Sequence, residues 1–325
     1  MTRREFIALL GGAAVAWPST AYAQQSGQLR QVGVLWPGPK SVAQSRVASI
    51  VSGLEAGGLP SDKLTIVLRV TDGDPALLQP MAAELVDRKV DVIIAAGPAS
   101  VRAVRAATSS IPIVAGDLES DPLSTGFIAE NRRPGGNVTG VFLDFPDFSK
   151  KWLQALKEAV PQNTVVAVLW DSATGRHQRN AVEAAAAELN LTLTMLEVRV
   201  SNDFETAFQS AKDQGAGGLV ALSSPLIGGN TKLLADLAMK YRLPAITLFA
   251  QFARDGGLMA YGPSLQAVNR QDGVMAAKIL LGANPAETPI ETPTRFEFVL
   301  NLETAKALGV VIPAPTLLRA DEVIE

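Results

Sequence analysis

One histidine, His177, and no cysteine occur among the 325 residues. The side chains that most often shuttle protons, attack carbonyls or ligate transition metals are therefore nearly absent. His177 follows Thr174-Gly175-Arg176, with no nucleophile elbow beside it and no cluster of ligating residues around it, so neither a catalytic residue nor a metal or cofactor is expected. What remains suits binding better than reaction. Gly97-Pro98-Ala99-Ser100 is a turn that leads into a helix, where free N–H groups and the helix dipole favour a carboxylate or other anion. Trp36, Trp170 and Phe249 offer aromatic faces. Asp117, Asp121, Asp144, Asp171, Ser172, Ser223, Ser224 and Gln251 offer hydrogen-bonding groups that could orient a small solute. A nucleotide is not expected, because the first strand runs into Trp36-Pro37-Gly38-Pro39-Lys40, which lacks the spacing of either glycine-rich phosphate loop.

The elements that must position these residues alternate between short apolar runs and longer amphipathic ones. Strands are expected at 31–35, 64–69, 92–95, 113–114 and 138–141, with helices at 42–56, 75–89 and 100–108 between them. In the second of these helices Leu77, Leu78, Met81, Leu85 and Val86 recur at helical spacing, Asp74 is a good N-cap, and Pro75 suits the first helical position. The pattern then restarts. A helix at 150–160 precedes strands at 165–169, 191–198, 218–222, 245–249 and 258–261, with helices at 180–189, 204–214 and 231–241. This is α/β organisation: two doubly wound parallel sheets that face each other across a ligand cleft. The short join Phe142-Leu143-Asp144-Phe145-Pro146-Asp147 keeps them close. In open parallel sheets a ligand binds beyond the carboxyl ends of the strands, and every residue singled out above falls there or in the join.

The first residues read differently. Two arginines lead into a short apolar run ending in Ala21-Tyr22-Ala23, the three-part pattern of an export signal cleaved after residue 23. Thr2-Arg3-Arg4-Glu5-Phe6-Ile7 also resembles the twin-arginine signal; an ordinary secretory signal is the alternative. Losing Arg3, Arg4 and Glu5 changes the formal charge from −3 to −4, so no nucleic-acid partner is expected. Without cysteine, neither disulfides nor a lipid anchor is available, and a protein free in the periplasm is expected.

Arg133-Pro134-Gly135-Gly136-Asn137-Val138-Thr139-Gly140-Val141 resembles a segment of a family of bacterial ABC-transporter substrate-binding proteins associated with tryptophan or tyrosine uptake. Similar correspondences run through Asp74-Pro75, Val90-Asp91-Val92-Ile93, Asp121-Pro122, Lys151-Trp152-Leu153, Val166-Ala167-Val168-Leu169, Gly256-Gly257-Leu258-Met259-Ala260-Tyr261-Gly262-Pro263, the 301–309 stretch and Arg319-Ala320-Asp321-Glu322-Val323-Ile324. The resemblance implies the type I periplasmic-binding-protein fold. One lobe would comprise 30–142 plus 264–291, the other 143–263 plus 292–325. It also implies a monomer that closes on a small solute, of the amino-acid or aromatic kind, and docks on an ABC permease of the inner membrane. One departure stands out. Members of the family often carry a hydroxyl residue before the Pro-Ala pair, in the form G-T-P-A-A, and Gly97 occupies that position here. That leaves ligand identity open. A sensory module for a membrane receptor, or a hydrolase on a similar sheet, are the alternative readings.

Overall fold

The computed structural model describes residues 29–143 and 145–325, without the side chains of 145–147. The expected signal segment, 1–23, and Asp144 lie outside the described residues. Strands β1 (Arg30–Trp36), β2 (Leu64–Val70), β3 (Val92–Ala96), β4 (Ile113–Asp117) and β5 (Val138–Phe142) form one parallel sheet in the order β2-β1-β3-β4-β5. Helices α1 (Lys40–Ala56), α2 (Leu78–Asp87) and α3 (Gly97–Ala107) make the first crossovers. Alternation along the strands divides the core. Leu35, Ile93 and Ala95 face Ala82, Leu85, Val101 and Val104 of α2 and α3, while Val32, Val34, Val92 and Ile94 face the opposite layer of helices. The helix expected at 75–89 begins as a 3-10 turn, Pro75–Leu77, capped by Asp74 Oδ1, which accepts from the Ala76 N–H at 2.9 Å.

The second sheet has the order β12-β11-β10-β9-β8-β6-β7. Its strands are β6 (Val165–Asp171), β7 (Thr192–Val198), β8 (Gly218–Ala221), β9 (Ala245–Thr247), β10 (Met259–Pro263), β11 (Phe296–Asn301) and β12 (Glu322–Ile324). All pairings are parallel except β10 with β11. Helices α4 (Phe145–Ala159), α5 (His177–Leu189), α6 (Asp203–Asp213), α7 (Pro225–Gly229), α8 (Thr231–Lys240) and α9 (Ala250–Arg254) flank it.

The chain then returns to the first sheet as α10 (Leu265–Leu280) and comes back to the second through β11, α11 (Leu302–Leu308), α12 (Ala314–Leu317) and β12. The return is secured by a close helix crossing. A Cβ on Gly53 of α1 would lie 2.0 Å from the Arg270 carbonyl oxygen, and one on Gly273 of α10 would lie 2.1 Å from that of Ile50. The two backbones therefore touch, which fixes α1 relative to α10.

The segment 133–141, the most specific motif of the sequence, is scaffold. Asn137 Nδ2 donates to the carbonyls of Thr108 (3.3 Å) and Ile111 (2.9 Å). The Thr139 hydroxyl donates to the Thr288 carbonyl at 2.9 Å, and the Gly135 N–H to that of Ala286 at 3.0 Å. A Cβ on Gly140 would meet the Ala115 carbonyl oxygen at 2.1 Å. These residues bind the returning chain to the first sheet; none touches the space between the lobes.

Candidate functional site

The carboxyl ends of the two sheets face one another and are in contact. A Cβ on Gly97, at the end of β3, would lie 3.0 Å from Cγ of Pro225, which opens α7 on the other side. One on Gly229 would lie 2.2 Å from Pro39 Cδ. Among the described residues, side-chain hydrogen bonds cross the seam. Arg102 Nη2 donates to the Ala173 carbonyl at 2.7 Å, and the Ser223 hydroxyl donates to Glu119 Oε1 at 2.7 Å. The lobes are closed.

Carboxyls concentrate at the middle of this seam. Asp117 ends β4 fully buried and accepts from the Glu119 N–H (2.9 Å), the Ser120 N–H (3.0 Å) and the Ser120 hydroxyl. Glu119 is 4 % exposed. Burial, reinforced by the charge of Asp117, pushes its pKa up to about 8. Asp272 of α10, also buried, lies against Gly116, its Oδ1 has no hydrogen-bond partner, and burial raises its pKa to about 8. Arg46 of α1 supplies the positive charge. Its guanidinium lies 3.9 Å from the centroid of the Trp36 ring. Desolvation lowers its pKa to about 10, against the fields of Glu119 and Asp272.

Two cavities flank the seam. One, of about 490 Å³, is walled by Pro37–Pro39, Thr71–Gly73 and Ala96–Ala99 from the first sheet. Asp171–Thr174, Arg199–Ser201, Pro225, Leu226 and Asn230 close it from the second. It thus meets the carboxyl ends of three strands in each sheet. The other, of about 580 Å³, lies toward α1 and α10 and includes Arg46, Phe249, Gln251 and Asn269.

The expected site residues divide between these places. Gly97, Pro98, Ala99, Asp171 and Ser172 line the first cavity, and Phe249 and Gln251 the second. Trp36 and Trp170 are buried behind loops of the first cavity, and their Nε1 groups donate at 3.0 Å to the Pro39 and Gly175 carbonyls respectively. Each thereby tethers a loop and lines neither cavity. Ser100 is fully buried with a partnerless hydroxyl. Asp121 caps its own turn through the Leu123 and Ser124 N–H groups. Asp171 Oδ1 accepts from the Ala173 N–H at 2.9 Å, and burial raises its pKa. Ser223 is the seam donor, whereas Ser224 Oγ accepts from the Ile227 N–H at the head of α7. His177 opens α5. No group of three or more ligating side chains is found among the described residues.

Glu119, Arg46, Arg102 and Asp272 escaped the sequence reading. Glu119 sits between two aspartates that it did single out, so the signal was present in the loop. Arg46, Arg102 and Asp272 lie inside helices, and only the fold brings them to the cleft.

Residues 35–324 match the family model described as ABC transporter substrate binding protein. A relative named tyrosine-binding protein, from Clostridioides difficile (strain R20291), is 24% identical over 259 residues, covering 78% of this chain and 73% of its own. Among solved structures, an ABC domain in complex with L-Trp from Streptococcus pneumonia has a TM-score of 0.83 at 22% identity, covering 91% of this chain and 99% of that one. A conserved domain protein from Vibrio cholerae scores 0.84 at 21% identity, with 91% and 100% covered. A ligand-free, open substrate-binding protein with adhesive properties from Clostridium difficile scores 0.64 at 22% identity, with 91% and 99% covered.

Proposed function

Because this chain belongs to the ABC transporter substrate-binding protein family, we propose that it carries an amino-acid-type solute in the cavity of about 490 Å³ between its lobes. Such proteins bind small solutes outside the cytoplasm and work with a membrane permease. The observation that carries the reading is the convergence of six strand ends on one cavity of a size that suits a small ligand. The tyrosine-binding relative and the L-Trp complex support an amino acid. The first-turn N–H groups of α3 would receive its carboxylate, in place of the hydroxyl that Gly97 lacks. Asp171 and Ser172 face them from the second sheet. The lobes 30–142 plus 264–291 and 143–263 plus 292–325 would hinge as units, and the protein would act as a monomer without catalysing a reaction. The closed seam and the higher likeness to the L-Trp complex than to the open protein support closure as the loaded form.

The test is mass spectrometry of small molecules that survive purification, followed by a thermal-shift screen of amino acids. A true ligand at 100 times its Kd stabilises by about 2.7 kcal/mol, which raises Tm measurably; no shift with any amino acid removes this substrate class. The tryptophans give a second readout. Trp152 is fully buried with Nε1 donating to the Tyr261 carbonyl at 2.7 Å, away from both cavities. The ligand-induced emission change should shrink in Trp36→Phe and Trp170→Phe and persist in Trp152→Phe. A signal abolished only in Trp152→Phe would mean that the first-cavity loops are not where the solute acts.

Export through the twin-arginine route belongs to the same proposal. Arg3→Lys with Arg4→Lys should leave precursor in the cytoplasm, and the exported chain should begin at Gln24. Unchanged periplasmic yield of the double variant would exclude that route.

A further inference from the structure

We infer that the second cavity, between α1, α10 and the loop after β9, is a separate oxyanion site that takes a small carboxylate and clasps the two lobes. The inference stands apart from the solute cavity, because its residues are different ones.

Its basis is a set of hydrogen-bonding side chains that line one cavity. Arg46 presents a five-donor guanidinium with no hydrogen-bond acceptor among the described residues, held in place by the face of Trp36. Asn269 is only 9 % exposed and Ser264 only 7 %. Both line the cavity, and neither side chain has a hydrogen-bond partner among the described residues. Neither is among the buried side-chain atoms that lack a partner, so their polar atoms open onto the cavity, where they can meet a molecule that enters it. Arg270 adds a fourth donor group at the rim, again with no acceptor among the described residues. The remaining arginine, Arg254, is committed to Glu297 and Glu322.

The electrostatics agree with the geometry. The acids whose charges act on Arg46 are Glu119 and Asp272; burial, with the charge of Asp117 for the first, pushes the pKa of each up to about 8. At neutral pH neither is a full counter-charge, so the guanidinium keeps its attraction for an anion. Arginine's planar fork matches a carboxylate in bidentate fashion. The opposite wall comes from the other lobe, through Gly228, Phe249 and Gln251. An anion bound by Arg46 and Asn269 is thus enclosed only when the lobes are shut, and its binding favours the shut form.

The experiment is calorimetric titration of the mature protein with succinate, acetate and inorganic phosphate at constant ionic strength set by chloride. Tryptophan emission is read in parallel, because a guanidinium drawn onto an anion shifts against the Trp36 ring. Saturable binding of succinate or acetate is expected. It should weaken by about tenfold or more in Arg46→Gln and in Asn269→Leu, the loss expected for a hydrogen bond to a charged group. Arg88→Gln, an exposed arginine at the end of α2, should bind as wild type. If Arg46→Gln fails to fold, Asn269→Leu and Ser264→Ala decide the matter, since neither removes a charge. The proposal is overturned if no carboxylate binds saturably, if chloride alone reproduces the signal, or if the variants that fold bind like wild type. Phosphate binding without carboxylate binding would overturn the ligand class.

Discussion

Raising the pH from 5 to 8 should loosen this protein, and Glu119→Gln should remove much of the effect on ligand affinity. Glu119 and Asp272 have pKa values of about 8 in the folded protein, with burial as the leading cause. In the unfolded chain each titrates near its ordinary value, about 4. Between the two values the folded protein holds protons that the unfolded chain has released, so stability falls as pH rises and levels off above pH 8. At about 1.4 kcal/mol per pKa unit, the loss is on the order of 5 kcal/mol for each group as an upper limit. The groups report different events. Asp272 is enclosed within the first lobe, between α10 and Gly116, so it titrates against unfolding alone. Glu119 is covered from the opposite lobe by Ser223, so it also titrates against lobe opening. Asp117 and Arg46 act on Glu119 in opposite directions, the first raising its pKa and the second lowering it. Melting curves should therefore flatten between pH 5 and 8 in both Glu119→Gln and Asp272→Asn. The pH dependence of solute affinity should flatten only in Glu119→Gln. Affinity that is level from pH 5 to 8 in the wild type would show that Glu119 is not proton-linked to closure.

How much of this was legible in the sequence depends on how local each feature is. The parallel sheets were readable because a buried strand is a short apolar run and its crossover helix is amphipathic, as in Val92–Ala96 followed by Gly97–Ala107. Cavity-lining residues at strand ends were readable for the same reason: Gly97, Asp171 and Phe249 follow directly from where strands stop. Orientation was not. Trp36 and Trp170 lie at strand ends too, yet their rings turn inward to hydrogen-bond neighbouring loops, and nothing in the sequence separates a capping indole from one that faces a solute. Arg46 and Asp272 come together only because α1 and α10, more than 200 residues apart, cross with backbones touching at Gly53 and Gly273. The 133–141 motif carries a parallel lesson. Gly140 answers to a close backbone contact, Gly135 to the chain return and Asn137 to the carbonyls of Thr108 and Ile111, so a strong family signature marks the scaffold and leaves the solute unnamed.

Gly97→Thr, which places a hydroxyl before the Pro-Ala pair, should weaken solute binding by more than about 30-fold, or about 2 kcal/mol. The substitution has two separate effects, one on stability and one on affinity. Gly97 has φ +73°, a conformation that β-branched residues adopt only with strain, on the order of 1–3 kcal/mol. That strain acts on the first lobe whether the lobes are open or shut, and should lower Tm without changing affinity. The second effect acts only on closure and is the one that weakens binding. The Cβ alone would come within 3.0 Å of Pro225 Cγ, and the branches of threonine have no room between β3 and α7 without moving the lobes apart. Glycine here and proline there are thus two halves of one contact. The halves can be separated by a second substitution. Pro225→Ala in the Gly97→Thr background should recover part of the affinity, because it relieves the clash, and leave the Tm deficit, because it does nothing for φ. If Gly97→Thr binds the solute as tightly as wild type, Gly97 does not govern closure and the solute does not depend on the shut seam.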